Sequence, residues 1–305
     1  MEYVLLGIDG PSCSRIGLRC SAEEEWLLNG RIDRQYLWNA AYAGPLARAI
    51  EEALDHGVNF LDTCPSYGCG HSERIVGRAL AGRRDKLVLS TKCGMILDET
   101  TNRIVGTCST PEFLRHSCEE SLRRLRTDRI DLFVIYGGLV LDRDGVVGCF
   151  EQLVDQGKIR SYGFYKQPNA VLDRLSLNIR CWSLQGTTHF IRMYDMLSNH
   201  AVHRLVIALE SPAQDLSQES REGLNVEELS FLGGLGSEES IRSIFGDQGR
   251  SLGEGLRRML LDLHEHAIFL VRFVDREQYI QMMRAAESPR ITSDDLERLR
   301  SLISV

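Results

Sequence analysis

Three residue types that move protons fall close together in the first third of the chain. The segment Gly57-Val58-Asn59-Phe60-Leu61-Asp62 is a short apolar run ending in a carboxylate, and Tyr67-Gly68 follows five residues later. The next apolar run, Leu87-Val88-Leu89-Ser90, continues into Thr91-Lys92. If both runs are neighbouring parallel strands, Asp62, Tyr67 and Lys92 meet at one sheet edge. An ammonium beside a phenol favours the phenolate, and a carboxylate holds that ammonium charged and in place. A tyrosine so placed gives or takes a proton at neutral pH.

The elements that must position these groups follow a simple alternation. Eight short apolar runs read as strands: Arg15–Leu18, Asn59–Leu61, Leu87–Ser90, Leu132–Ile135, Ser161–Phe164, Arg180–Leu184, Leu205–Leu209 and Ile268–Val271. They are rich in Leu, Ile, Val and Phe, as strands covered on both faces should be. Helical stripes lie between them. Leu46, Ala49, Ile50, Ala53 and Leu54 share one face, with Gly57 beyond the end. Leu114, Cys118, Ser121, Leu122 and Leu125 form another, opened by Thr110-Pro111-Glu112 as cap, first-turn proline and early acid. Phe150, Leu153 and Val154 precede Gly157, and Thr292 with Asp295 caps a last helix carrying Leu296, Leu299 and Leu302. Eight such units predict a (β/α)8 barrel, with its chemistry at the C-terminal ends of the strands. An open doubly wound sheet is the alternative, weakened by the lack of a GxGxxG after the first strand. The reading is one barrel domain over 1–305, with long connections at about 21–43, 93–109 and 210–251.

Composition sets limits. The 305 residues are 43% hydrophobic and 26% charged, enough to bury a core without staples. Lys and Arg number 36 against 43 Asp and Glu, a net charge of −7 that speaks against a broad nucleic-acid footprint. The longest apolar stretches are far too short to span a bilayer, and the first residues lack a leader's basic and apolar regions. Nine irregularly spaced cysteines without a CxxC predict reduced thiols and a cytoplasmic protein. The expected partner is a small molecule, with neither nucleic acid nor membrane; the oligomeric state is left open.

Several blocks, in order, resemble the aldo-keto reductase superfamily. They are Gly57–Leu80 with its Asp, Tyr-Gly and Ser-Glu; Leu87–Lys92; Ser121-Leu122-Arg123-Arg124-Leu125 with Thr127-Asp128 and Ile130-Asp131-Leu132; and Leu153–Arg160. Met1–Leu18 is similar to the family's opening hairpin and first strand, and the likeness is strongest over 1–163. The resemblance implies a barrel and a tetrad of Asp, Tyr, Lys and His. The first three match Asp62, Tyr67 and Lys92, while the histidine's place is taken by Tyr136.

Where the family binds a nicotinamide dinucleotide, this sequence departs from it. The Gly-Thr pair after the first strand is Arg19-Cys20, and the Ser-Asn pair that holds the nicotinamide amide is Tyr165-Lys166. Gln185 is retained and would bind the cofactor if NADP(H) is used. The stacking aromatic is replaced near Leu209 or Glu210, and the final phosphate-binding block reads Arg272, Val274 and Met282. Arg19, Lys92, Lys166 and Arg272 would make the mouth cationic, suited to a carboxylate or phosphate substrate. His189 is a further candidate for contact with it. Cys20, Cys64, Cys69 and Cys93 cluster near the first strand ends. Packing explains them better than a metal site, so no metal is expected, and a reactive Cys93 beside Lys92 is a minor alternative.

Three functions fit this pattern. The one placed first is redox-neutral acid/base chemistry, such as elimination, dehydration, isomerisation or cyclisation, on a small anionic metabolite. It uses Asp62, Tyr67, Lys92 and Tyr136, with Arg19, Lys166, Gln185, His189 and Arg272 on the substrate and no cofactor favoured. The second is an NADPH-dependent carbonyl oxidoreductase. The third is a non-catalytic regulatory barrel.

Overall fold

A computed structural model describes residues 1–6, 10–21, 27–28, 31–32, 43–98, 100–101, 103–135, 142–164, 182–185, 205–208, 252–263, 267–272 and 276–303. The chain begins with a hairpin of β1 (Tyr3–Leu5) and β2 (Ser12–Ser14). The first barrel strand is β3 (Ile16–Arg19), and β4 (Leu27–Leu28) and β5 (Arg31–Ile32) then pair antiparallel. Helix α1 (Ala43–Asp55) leads to β6 (Phe60–Asp62), and α2 (His71–Ala79) to β7 (Val88–Cys93). A second hairpin, β8 (Met95–Asp98) and β9 (Arg103–Thr107), comes before α3 (Pro111–Leu125), β10 (Ile130–Ile135), α4 (Arg143–Asp155) and β11 (Ile159–Phe164). The remainder comprises β12 (Trp182–Gln185), β13 (Leu205–Ala208), α5 (Leu252–Leu263), β14 (Ala267–Arg272), α6 (Arg276–Glu287) and α7 (Ser293–Ile303).

Eight strands form one sheet in the order β11-β10-β7-β6-β3-β14-β13-β12, and every neighbouring pair is parallel. The two ends of that order, β11 and β12, lie against each other, so the fold is the expected (β/α)8 barrel. Each predicted strand is present, its ends displaced by up to three residues. The interval 93–109 is not an irregular loop. Cys93 still belongs to β7, and β8 pairs with β9 across it from Met95↔Thr107 to Asp98↔Arg103.

Residue alternation sorts the strands into two faces. Phe60, Val88, Leu132, Val134, Ile268 and Leu270 pack together inside the barrel, where Leu6 and Cys13 of the opening hairpin join them. Asn59 fixes that hairpin as a floor: its Oδ1 accepts from the Ser14 amide at 2.7 Å, and its Nδ2 donates to the Ser12 carbonyl at 2.9 Å. The intervening residues, among them Leu18, Leu61, Leu89, Phe133, Ile135, Phe269 and Val271, face outward onto the helices in a larger core. Burying side chains of this size contributes about 1.5–3 kcal/mol each before the entropy of ordering them. Gly17 faces inward between Leu270 and Phe60, where a Cβ would sit 2.7 Å and 2.8 Å from their side chains. Glycine there lets two large residues fill one layer.

The predicted caps at Thr110 and Thr292 are present, and α4 has one that was not predicted. Thr110 Oγ1 accepts from the Phe113 amide at 3.4 Å with Pro111 in the first turn, and Asp142 caps α4 by accepting from the Gly145 amide at 3.0 Å. Leu114, Cys118, Ser121, Leu122 and Leu125 are all buried on α3. Among the described residues, no helix is long and apolar enough to cross a membrane.

Candidate active site

The loop from Cys64 to Gly70 carries Tyr67 from the end of β6 to the start of α2. Gly68, Cys69 and Gly70 take left-handed φ values of 61°, 47° and 83° in succession. Glycine is the residue that does this at least cost, and Cys69 bears the strain of a non-glycine residue there. Gly70 has a second reason to lack a side chain, since a Cβ would lie 2.5 Å from Arg124 Cδ. The space lets Arg124 run beneath the loop to Glu73.

Ser72 and Glu73 then fix α2. Ser72 Oγ donates to the Cys20 carbonyl at 2.5 Å and lies 2.8 Å from Thr63 Oγ1. The Glu73 carboxylate is fully buried; it accepts from Thr91 Oγ1 at 2.8 Å and Arg124 Nε at 2.5 Å. This buried pair ties α2 to α3 and to the outward face of β7. Its registry role follows from satisfied hydrogen bonds on both partners.

The inward face carries the chemistry. Arg272, Arg19, Asp62 and Ser90 are consecutive register partners across β14, β3, β6 and β7, so they form one tier above the apolar interior. Asp62 is 2% exposed and both of its oxygens are engaged, Oδ1 by Ser90 Oγ at 2.8 Å and Oδ2 by Lys92 Nζ at 2.6 Å. Its Oδ2 contact makes it the holder of Lys92. Lys92 also donates to the Thr63 carbonyl at 2.9 Å, and its Nζ stands 5.2 Å from the centre of the Tyr67 ring. The Tyr67 oxygen accepts a hydrogen bond from Arg19 Nε at 2.9 Å, with Arg19 Cζ 5.5 Å from the same ring centre. Tyr67 packs with Cys64 and with Met95, Leu97 and Ile104 of the β8–β9 hairpin. Lys92 is thus beside the phenol as expected, but it meets the ring, and the described hydrogen bond to the oxygen comes from Arg19.

The structure brings together Asp62, Tyr67, Lys92, Arg19 and Arg272. Gln185 ends β12 at the same mouth. Tyr136, Lys166 and His189 lie outside the described residues, as do positions 165, 209, 210 and 274. Met282 is fully buried in the core beneath α6, so it packs and does not reach the mouth; Arg272 is the described cation of that block. A nicotinamide dinucleotide needs cations for its phosphates at strand ends. Arg272, at the end of β14, supplies that chemistry, so the residues present fit such a group.

Two of the four cysteines separate from the site, while Cys64 packs against Tyr67. Cys20 and Cys93 belong to the outward core, where burial pushes both thiols up. Cys93 follows Lys92 on the strand and so points the opposite way, which removes the idea of a reactive thiolate beside that lysine. Among the described residues, no three metal-ligating side chains are grouped together.

With this geometry in view, comparison with known proteins defines the class. The Aldo/keto reductase family matches residues 37–304. The chain belongs to that family. It is 27% identical over 264 residues to the Uncharacterized oxidoreductase YqkF of Bacillus subtilis (strain 168), covering 83% of this chain and 85% of the relative. It is 32% identical over 178 residues to the NADH-specific methylglyoxal reductase of Escherichia coli (strain K12), covering 53% and 51%. The solved aldo-keto reductase AKR11C1 of Bacillus halodurans, in its holo form, superposes with a TM-score of 0.71 at 24% identity, covering 99% of this chain and 96% of that one. An aldo/keto reductase of Klebsiella pneumoniae in complex with NADP and acetate gives 0.66 at 19%, over 99% and 96%. None of these comparisons supports placing elimination or isomerisation ahead of oxidoreduction, nor favouring the absence of a cofactor.

Proposed function

We propose that this chain, as one barrel domain over 1–305, is an NADP(H)-dependent oxidoreductase of small anionic carbonyl compounds, with Tyr67 as the proton carrier. The observation that carries the reading is the constellation of Tyr67 between Lys92, held by Asp62, and Arg19. Relatives described as oxidoreductases support the redox step. A bound reduced nicotinamide would supply the hydride, with Arg272 and Gln185 as the residues that would hold it. The chain's own residues do the rest. Tyr67 gives its proton to the carbonyl oxygen, or takes it back in the reverse direction. Asp62 keeps Lys92 charged and fixed, and Lys92 stabilises negative charge on the ring. Arg19, Lys92 and Arg272 outnumber Asp62 among the described charged groups of the mouth, which favours a carboxylate or phosphate on the substrate. Tyr136, Lys166 and His189 complete the proposed set.

Redox-neutral acid/base chemistry on the same substrate class is the second reading. The observation favouring it is Arg19 at the phenol oxygen, in a position where the resemblance predicts a glycine.

Calorimetric titration with NADPH and NADH, followed by substrate-dependent NADPH oxidation across 2-oxo acids and phosphorylated aldehydes, tests the first reading. Micromolar binding and turnover are expected, with Tyr67→Phe losing about 10²–10⁴-fold in rate. No binding at millimolar cofactor would overturn it and move the search to redox-neutral turnover.

A further inference from the structure

We propose that Arg19 is a positioning residue for the Tyr67 proton: its Nε–H, donated to the phenol oxygen, directs the transferable proton away from β3 and faces the charge left when that proton departs. The inference rests on the reading of Tyr67 as the proton carrier.

A guanidinium has only donors, so at 2.9 Å the phenol oxygen must be the acceptor. One lone pair of that oxygen is thereby occupied, and its own O–H cannot point at Arg19. Lys92 does not duplicate this contact, because its ammonium donates to Asp62 and the Thr63 carbonyl and meets Tyr67 at the ring. The guanidinium is held in place by its strand. Arg19 is 6% exposed and lies in register between Asp62 on β6 and Arg272 on β14. In so dry a setting a charge-assisted hydrogen bond is stronger than in water.

Among the described residues, the charged groups around Tyr67 come from the strands beside it. β3 provides Arg19 and β7 provides Lys92, while Asp62 of β6 and Arg272 of β14 stand beside those two. The β8–β9 hairpin provides Met95, Leu97 and Ile104, which carry no charge. In the proton step the Tyr67 O–H bond breaks and an O–H bond forms on the substrate oxygen. The electron pair stays on the phenolate beside Arg19, and solvent water restores the proton afterwards. Arg19 keeps its charge throughout, since a guanidinium does not give up a proton in proteins.

The test needs neither substrate nor cofactor. The ultraviolet phenolate band of Tyr67 is isolated by subtracting the titration of Tyr67→Phe, in the wild-type and in Arg19→Lys, Arg19→Gln and Arg19→Met backgrounds. The ionisation midpoint is expected to rise by about 1–3 pH units in R19M, with R19K closest to wild type and R19Q between. Where turnover is measurable, kcat falls, the pH profile moves with the midpoint, and R19M adds nothing to the fall in kcat in the Y67F background. If R19M folds poorly, the ordering of wild type, R19K and R19Q decides alone. A Tyr67 band that stays put in variants that melt like wild type overturns the proposal. Absence of NADPH-dependent turnover in the wild type would instead overturn the proposed function and leave this titration to decide the role of Arg19.

Discussion

Replacing Asp62 with asparagine removes one charge with almost no change of shape. Asp62 Oδ1 accepts from Ser90 Oγ, and Oδ2 from Lys92 Nζ. An asparagine turned with its oxygen to Lys92 can donate its amide to Ser90 instead, so both contacts survive. What is lost is the charge opposite an ammonium that is 3% exposed. At 2.6 Å, an effective dielectric of about 20 gives roughly 6 kcal/mol of attraction between the two groups. Desolvation of both ions offsets much of this, but removing one partner leaves the other buried and unpaired, at a cost of about 3–5 kcal/mol. In a chain this long, that is a fall of about 5–8 °C in melting temperature. The double variant D62N/K92M, with both charges gone, should recover most of the loss while remaining inactive, because the phenol then lacks its ring-face cation. Thermal unfolding by circular dichroism, alongside Tyr67-dependent turnover, is the assay. A single D62N variant that melts within about 1 °C of wild type would refute the argument that this pair is a desolvated ion pair on which the mouth depends.

Two further outcomes follow from the placement of other titratable groups. Alkylation of the native protein should label the half-exposed Cys108 first and spare Cys20, Cys93 and Cys118 until denaturation, because burial pushes those thiols up, Cys118 to about 12; labelling of Cys93 in peptide maps at the rate of Cys108 would count against the outward packing. Burial alone would raise the Glu2 carboxyl, but Arg15, Arg258 and Arg290 outweigh it and hold the group below its usual range. The folded state therefore binds that proton more weakly than the unfolded one, and the contribution is complete above the ordinary glutamate value of about 4.3 and fades as pH falls through the lowered value. The melting difference between wild type and Glu2→Gln should be widest near neutral pH and close below about pH 4; a difference that does not change with pH would oppose this.

The barrel was legible because its strands are apolar on both faces, and apolar runs mark themselves. Their ends were less legible for the same reason. β7 was expected to stop at Ser90, yet it runs to Cys93, because Thr91 and Lys92 are buried by partners far off in sequence, Glu73 and Asp62. The β8–β9 hairpin was missed, although Met95-Ile96-Leu97 and Arg103-Ile104-Val105 flank a polar turn. A period-2 reading of those flanks was the available signal. The grouping of Asp62, Tyr67 and Lys92 followed from strand-end spacing. The Arg19–Tyr67 contact did not, since it joins a strand to a loop 48 residues away. One clue existed, the alternation that puts Arg19 on the same face as Gly17. In the sequence Glu73 opens a helix and Arg124 belongs to a helix-to-strand segment, and only their packing makes them partners.

That last pairing bears on what the family signature can say about activity. Behind the barrel wall Glu73 binds Thr91 and Arg124 while Ser72 binds Thr63 and the Cys20 carbonyl, and Asp131 binds Arg84 and the Leu89 amide at the opposite end of β7. These residues would be required by the scaffold whatever reaction the mouth performs, because each leaves a buried charge or donor unsatisfied if removed. A match over 37–304 therefore does not by itself specify what the mouth does. Activity has to be argued from the inward tier, and there the chain keeps the Asp62–Lys92 pair and Tyr67 while placing an arginine at position 19. A side chain of that size and charge at the phenol oxygen changes how the proton is held, and it narrows the space available to whatever approaches Tyr67. Under the proposed function, Arg19 is where substrate shape and charge would be selected, and small anionic carbonyl compounds are the place to begin a substrate screen.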